Sequence, residues 1–412
     1  MKRLSHILAA LAVTLLATGC GLINHDKDNE KRMVLFYIAA TESSLSPYAE
    51  TNIDQMVSGY IPSVDSKDQE LLVFFQNKTT DATLRRYFTN HANQVAYEEI
   101  KSFGSDFNAC TPEGLREVLE AAEEECKPKY RSLLFSSHGT GWMPEGYFNN
   151  STDQAASGSH VFKTKAGEDQ IRSLSRLQAV SSVGYDSPSG NEIDIQDFAK
   201  VAGKWHWETI IFDCCYMGSV EVAYQIKDIC DYMIASPTEI LITGFPYRII
   251  LNELFNNPGK SGVEYIATKY YELYMAEQGI YQSGCIVSVD CSLMEPFAQV
   301  CADIVKDAGS RIAEVDRDAV QKYCYPSIVK DGKDYFFDLA HYFEQFCTEE
   351  QYAQFSAALD QATVYKNSTE EFLRLKIEHY CGLSTYIPKA SYKNLNAYYK
   401  TLAWNQKINI LQ

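Results

Sequence analysis

Residues 209–218, TIIFDCCYMG, and residues 133–142, LLFSSHGTGW, decide the reading of this chain. Each is a short apolar run that ends on a reactive side chain and then turns at glycine. Such runs, bounded by turn signals, read as strands buried on both faces. In an open parallel sheet, ligands bind beyond the carboxyl ends of the strands. His138 and the Cys214-Cys215 pair would therefore emerge on one edge and face a shared crevice. The thiolate is a nucleophile, and a nearby imidazole lowers its pKa or carries its proton. The placement points to Cys–His chemistry and says nothing about substrate.

The same texture continues on both sides. Residues 33–40, MVLFYIAA, and 71–76, LLVFFQ, read as buried strands, and 83–88 as a third, paired at an edge. Residues 41–60 carry helical spacing. Thr111-Pro112-Glu113 opens a helix to about Cys126, with an N-cap, a proline at the first position and an acid in the first turn. Helices follow at 194–202 and 219–226, and a strand at 230–236. Strands alternating with helices predict an α/β fold with a mainly parallel β-sheet flanked by helices. Beyond residue 248 the spacing predicts a largely helical C-terminal elaboration. Its helices lie near 246–256, 261–277, 294–307, 336–346 and 350–364, with strands at 285–289 and 384–387. No linker separates 249–412 from 33–248, so both belong to one domain. Residues 143–190 are rich in Ser, Gly, Asn and Lys without a period, and a loop that long is functional or disordered.

The chain has 412 residues and a formal charge of −17. That balance argues against nucleic acid as a partner, which needs a basic footprint. It fits a soluble acidic surface or attraction of basic substrates. Lys2 and Arg3 precede an apolar run, 7–16, and then Ala17-Thr18-Gly19-Cys20. Residues 1–20 resemble a lipoprotein signal peptide with lipobox cysteine Cys20, the alternative being ordinary cleavage near Gly19. Residues 21–32 read as a flexible tether, whose acids resemble surface-export signals. The expectation is an exported bacterial lipoprotein, at the outer membrane or cell surface, with the membrane as a partner through the lipid. Setting aside Cys20 and a catalytic thiol leaves ten of the 12 cysteines, an even number that an oxidising compartment could pair.

Three stretches in order, SSHGTGW (136–142), FDCCYMGSVEVAY (212–224) and ASPTEILITGFPY (235–247), resemble the clostripain family of cysteine peptidases, in the caspase-like group. The family pattern has His-Gly after one strand and Asp-Ala-Cys-x-Met-Gly after the next. Here Cys214 stands in place of the alanine, and Cys215 matches the nucleophile. Side-chain alternation then turns Cys214 away into packing. The resemblance implies an endopeptidase with Cys215 as nucleophile and His138 as its partner. Gly139 and Cys215 N–H groups would form an oxyanion hole. By resemblance Asp213 lines a pocket that favours Arg or Lys at P1; an aspartate there also suits a cap on the following helix. Thr238 and Glu239 line the same pocket or form a turn without contact. Related enzymes cut themselves between the two motifs, which makes Lys163, Lys165, Arg172 and Arg176 processing candidates in an activation loop, 143–190.

Two other functions keep the same residues: an envelope amidase or transpeptidase with this dyad, and a non-catalytic surface-binding lipoprotein. The expected partners are proteins or peptides with basic residues. No cofactor is expected. Clostripain responds to calcium, but no EF-hand-like loop is present and no spacing requires a metal. His160, His206, His341 and His379 follow no catalytic pattern.

Overall fold

The computed structural model describes residues 30–41, 45–145, 147, 183–186, 191–324 and 334–412. Nine strands form one sheet: β1 (Arg32–Ala40), β2 (Gln69–Asn77), β3 (Ala82–Thr89), β4 (Val95–Gly104), β5 (Tyr130–Ser136), β6 (Trp207–Asp213), β7 (Cys230–Ala235), β8 (Cys285–Asp290) and β9 (Thr363–Ser368). Their spatial order is β9-β8-β7-β6-β5-β1-β2-β3-β4. The central pairings β2/β1, β1/β5, β5/β6 and β6/β7 are parallel. Antiparallel strands close both sides, β3 and β4 at one and β8 and β9 at the other. The central strands are buried almost throughout, as Val, Ile, Leu and Phe on both faces require.

Helices α1 (Ser46–Val57), α2 (Pro112–Cys126), α3 (Ile195–Ala202), α4 (Val220–Ile226), α5 (Tyr247–Asn256), α6 (Lys260–Met275), α7 (Met294–Ala308), α8 (Leu339–Glu344), α9 (Glu349–Ala362), α10 (Lys393–Tyr399) and α11 (Ala403–Ile408) surround the sheet. One apolar core joins α2, α3, α4, α7, α9 and α11 to one set of strand side chains, Leu133, Ile210 and Phe212 among them. The other joins α1, α5 and α6 to the alternate set, including Leu134 and Ile211. The alternation of strand side chains sorts them between two helical layers. No helix among the described residues is long and apolar enough to cross a membrane.

Several expectations are corrected. The strand at 83–88 is not the edge, because β4 pairs beyond it. The helix expected to run to 364 stops at Ala362, and Thr363–Ser368 follow it as a strand. The helix expected at 336–346 starts only at Leu339, because Phe337–Asp338 pair with Ser384–Thr385 instead. The stretch 143–190 is partly built: Met143 and Tyr147 are buried, and Val183–Asp186 pairs with Asn191–Ile193. The ten cysteines counted as pairs do not pair. All 11 among the described residues are free thiols and all but Cys347 are buried. Most pack as small apolar groups, Cys230 and Cys291 share a hydrogen bond at 3.5 Å, and burial raises the thiol pKa of Cys126, Cys230, Cys301 and Cys324, which disfavours their thiolates.

Candidate active site

The β5/β6 register pairs Ser136 with Asp213. His138 and Cys215 each lie two residues past that pair, on neighbouring loops at one sheet edge. Gly139 is the point of closest approach. A Cβ there would stand 2.7 Å from the Cys215 carbonyl oxygen, 2.7 Å from the Cys214 Cβ and 3.2 Å from the Cys215 nitrogen. Its missing side chain is therefore needed first for contact between the two loops, a constraint beyond the N–H role expected of it. Gly141 has φ +64, and a Cβ there would meet the Tyr216 carbonyl at 2.6 Å.

The two adjacent thiols diverge. Cys214 Sγ donates to the Phe135 carbonyl at 3.4 Å, inside the sheet packing. Cys215 Sγ accepts the Ile240 N–H at 3.3 Å and faces the Ile240 carbonyl at 3.9 Å. A hydrogen bond to the charged form favours it, so this N–H is set to stabilise a thiolate. Tyr216, next in the chain, has φ +60, a left-handed conformation uncommon for a bulky residue and typical of strained functional turns. Two contacts hold it there: its N–H donates to the Thr238 carbonyl at 2.9 Å, and its ring stacks on Phe336 with centroids 4.4 Å apart. Thr238 thus supports the nucleophile turn. Cys215 is 0% exposed and His138 2%, so the pair is closed off from solvent.

Asp213 is fully buried, and its Oδ2 accepts from Ser136 Oγ at 2.7 Å and from Tyr247 OH at 2.5 Å. It does not cap the following helix; Ser219 does, accepting the Val222 N–H. Glu239 is also fully buried, with the Tyr216 hydroxyl beside its carboxyl. Burial pushes its pKa up from 4.5 to about 7, with a hydrogen bond from the Tyr216 hydroxyl pulling the other way. A carboxyl whose folded pKa is raised favours folding most below its unfolded pKa. That advantage fades as pH rises through about 7, and the difference is worth roughly 3 kcal/mol. Glu239→Gln is therefore expected to raise stability at pH 8 by up to about that amount and to change it little at pH 4.5. Urea denaturation at the two pH values measures this; an equal effect at both would contradict a charged buried carboxylate.

Lys163, Lys165, Arg172, Arg176 and Cys20 lie outside the described residues. Of the histidines set aside, His206 is exposed on Asp231, and His341 stacks on His379 with ring centroids 3.6 Å apart. Among the described residues, His341, Glu344 and His379 are one trio close enough to share a metal, their ligand atoms within 4.8 Å of one another. The His341 Nδ1, however, accepts the Gln321 N–H at 3.1 Å. The neutral ring then carries its proton on Nε2, which leaves no lone pair there for an ion. Sequence reasoning missed the Ile240 N–H, the Tyr216 conformation and Phe336. No residue-type signal marks a backbone donor or a left-handed tyrosine.

Comparison with known proteins places the chain in a family. The clostripain family model matches residues 36–158 and 167–409. An X-ray structure of an inactive zymogen C11 protease from Parabacteroides distasonis is 26% identical, with a TM-score of 0.73, covering 92% of this chain and 97% of that one. A secreted C11 cysteine protease from Bacteroides thetaiotaomicron, in complex with an irreversible peptide inhibitor, is 24% identical over 92% of this chain and 99% of that one, with a TM-score of 0.71, and shares the fold. Among curated proteins nothing matches. The sheet with helices on both faces is the caspase-like arrangement these proteases share. With a Cys–His pair at adjacent parallel strand ends and a family match along most of its length, the chain belongs to the clostripain family of cysteine peptidases.

Proposed function

We propose that this peptidase cleaves proteins after arginine or lysine through an acyl-enzyme on Cys215. His138 takes the thiol proton, and the thiolate attacks the scissile carbonyl. The N–H groups of Gly139 and Cys215 receive the oxyanion. The intermediate collapses, His138 protonates the leaving amine, and water then releases the acyl group by the reverse sequence. The observation that carries basic specificity is the buried Asp213 carboxylate, two residues before the nucleophile. A buried carboxylate draws a guanidinium or ammonium strongly when both are desolvated, and the fully buried Glu239 carboxyl supports the same preference.

Asp213→Asn tests the pocket. With arginyl and leucyl reporter peptides, kcat/KM for the arginyl substrate is expected to fall about 10²- to 10³-fold, as for loss of one partner of a buried charged pair. The leucyl rate should change little. Equal losses on both would sink the specificity role.

The closed site supports maturation by self-cleavage between residues 143 and 190, after Lys163, Lys165, Arg172 or Arg176. Residues 1–20 act as a lipoprotein signal, with Cys20 as anchor. Metabolic labelling with a clickable fatty acid reports on the anchor; a Cys20→Ser protein that still takes up the label would refute it.

A further inference from the structure

Both catalytic loops are tied to one pair of tyrosines from the C-terminal part of the chain. On the histidine side, Trp142 lies four residues past His138 and is 0% exposed. Its ring packs edge-on against Tyr399 at 5.1 Å and on Tyr386 at 5.0 Å. On the cysteine side, Glu221 sits in the first turn of α4, six residues past Cys215, and is 1% exposed. A single oxygen of its carboxylate accepts three hydrogen bonds: from Thr385 Oγ1 at 2.8 Å, the Tyr386 N–H at 3.0 Å and Tyr399 OH at 2.9 Å. The Tyr386 and Tyr399 rings touch each other at 5.0 Å. Next to them, the Ser384 N–H donates to the carbonyl of Gly218 in the nucleophile turn at 2.9 Å.

A buried carboxylate is costly unless donors converge on it, and removing one donor exposes that cost. Three donors on one oxygen hold α4 against residues 384–399. The same two rings hold Trp142, so the histidine and cysteine loops are referenced to one rigid joint. We propose that Glu221, Tyr386 and Tyr399 position His138 relative to Cys215, the C-terminal part of the chain acting as a clamp over the two strand-end loops. These are positioning residues, and the inference rests on the Cys215–His138 reading above.

Tyr399→Phe is the direct test, because it removes the hydroxyl and keeps the ring on Trp142 and Tyr386. Measured on the active form, kcat for a peptide substrate is expected to fall about 10- to 100-fold, the scale of a small misplacement of reacting groups. KM should stay within about twofold. The pH profile of Cys215 alkylation by iodoacetamide should shift, since it reads the thiol–imidazole pair directly. Glu221→Gln keeps the accepting oxygen and is expected to rescue most of the kcat that Glu221→Ala loses. Should Tyr399→Phe fail to fold, Thr385→Val removes one donor alone and carries the same expectation.

A Tyr399→Phe enzyme with lowered Tm but wild-type kcat and an unshifted alkylation profile would overturn the proposal, as would Glu221→Gln matching Glu221→Ala in kcat. Failure of the underlying dyad looks different: Cys215→Ala would then retain activity whatever the clamp variants do.

Discussion

Cys215→Ala is expected to lower kcat/KM for peptide hydrolysis by on the order of 10⁴-fold or more, while Cys214→Ala stays within a few-fold of wild type. Loss of a nucleophile removes the covalent route and leaves only what binding and the oxyanion donors supply. The two thiols are neighbours in the chain, and the asymmetry between them comes from their surroundings. Cys214 Sγ is turned onto the Phe135 carbonyl, inside the packing of β5 against its helices. Cys215 Sγ takes the Ile240 N–H, beyond the end of β7. Both sulfurs face a carbonyl, that of Phe135 for Cys214 and that of Ile240 for Cys215; the N–H donor onto Cys215 Sγ is what stabilises a thiolate there. Hydrolysis of one reporter peptide by the two single variants is sufficient. An active Cys215→Ala beside a dead Cys214→Ala would reverse the assignment.

Gly139→Ala is expected to cost about 10²-fold or more in kcat/KM, together with roughly 1–3 kcal/mol of stability as an overpacking change. The added carbon would lie 2.7 Å from both the Cys215 carbonyl oxygen and the Cys214 Cβ. These are backbone and short-side-chain atoms, so no flexible tip can move aside. The histidine loop must retreat from the cysteine loop, and the Gly139 N–H retreats with it. Denaturation and kinetics on the same preparation separate the two effects; an alanine variant with full kcat would show that the loops need not touch during catalysis.

The central sheet was legible because β1, β2, β5 and β6 each hold a continuous apolar run, a pattern that burial on both faces demands. β4, VAYEEIKSFG, escaped notice because it is a half-exposed edge strand carrying Glu98, Glu99 and Lys101. Charges on an edge guard against unwanted pairing, and they also erase the apolar signal. β9, TVYKNS, is intermediate in burial along its whole length and follows α9 without a break. Its polar residues gave nothing to distinguish it from the helix before it. His138 and Cys215 were legible because a reactive residue at the end of an apolar strand is a local pattern. The rest of the site is long-range. Thr238 meets Tyr216, and Tyr399 meets Glu221, only once the chain is folded. The cysteine count misled for a related reason: number and spacing do not tell buried thiols from disulfide partners.

Catalysis turns on one thiol at one strand end. Wild-type protein in its active form should be treated with a peptidyl-arginine electrophile, digested, and mapped by mass spectrometry beside Cys215→Ala and Cys214→Ala. One adduct per chain is expected, on Cys215, present in wild type and Cys214→Ala and absent from Cys215→Ala. An adduct on Cys214, or labelling that persists in Cys215→Ala, would contradict it.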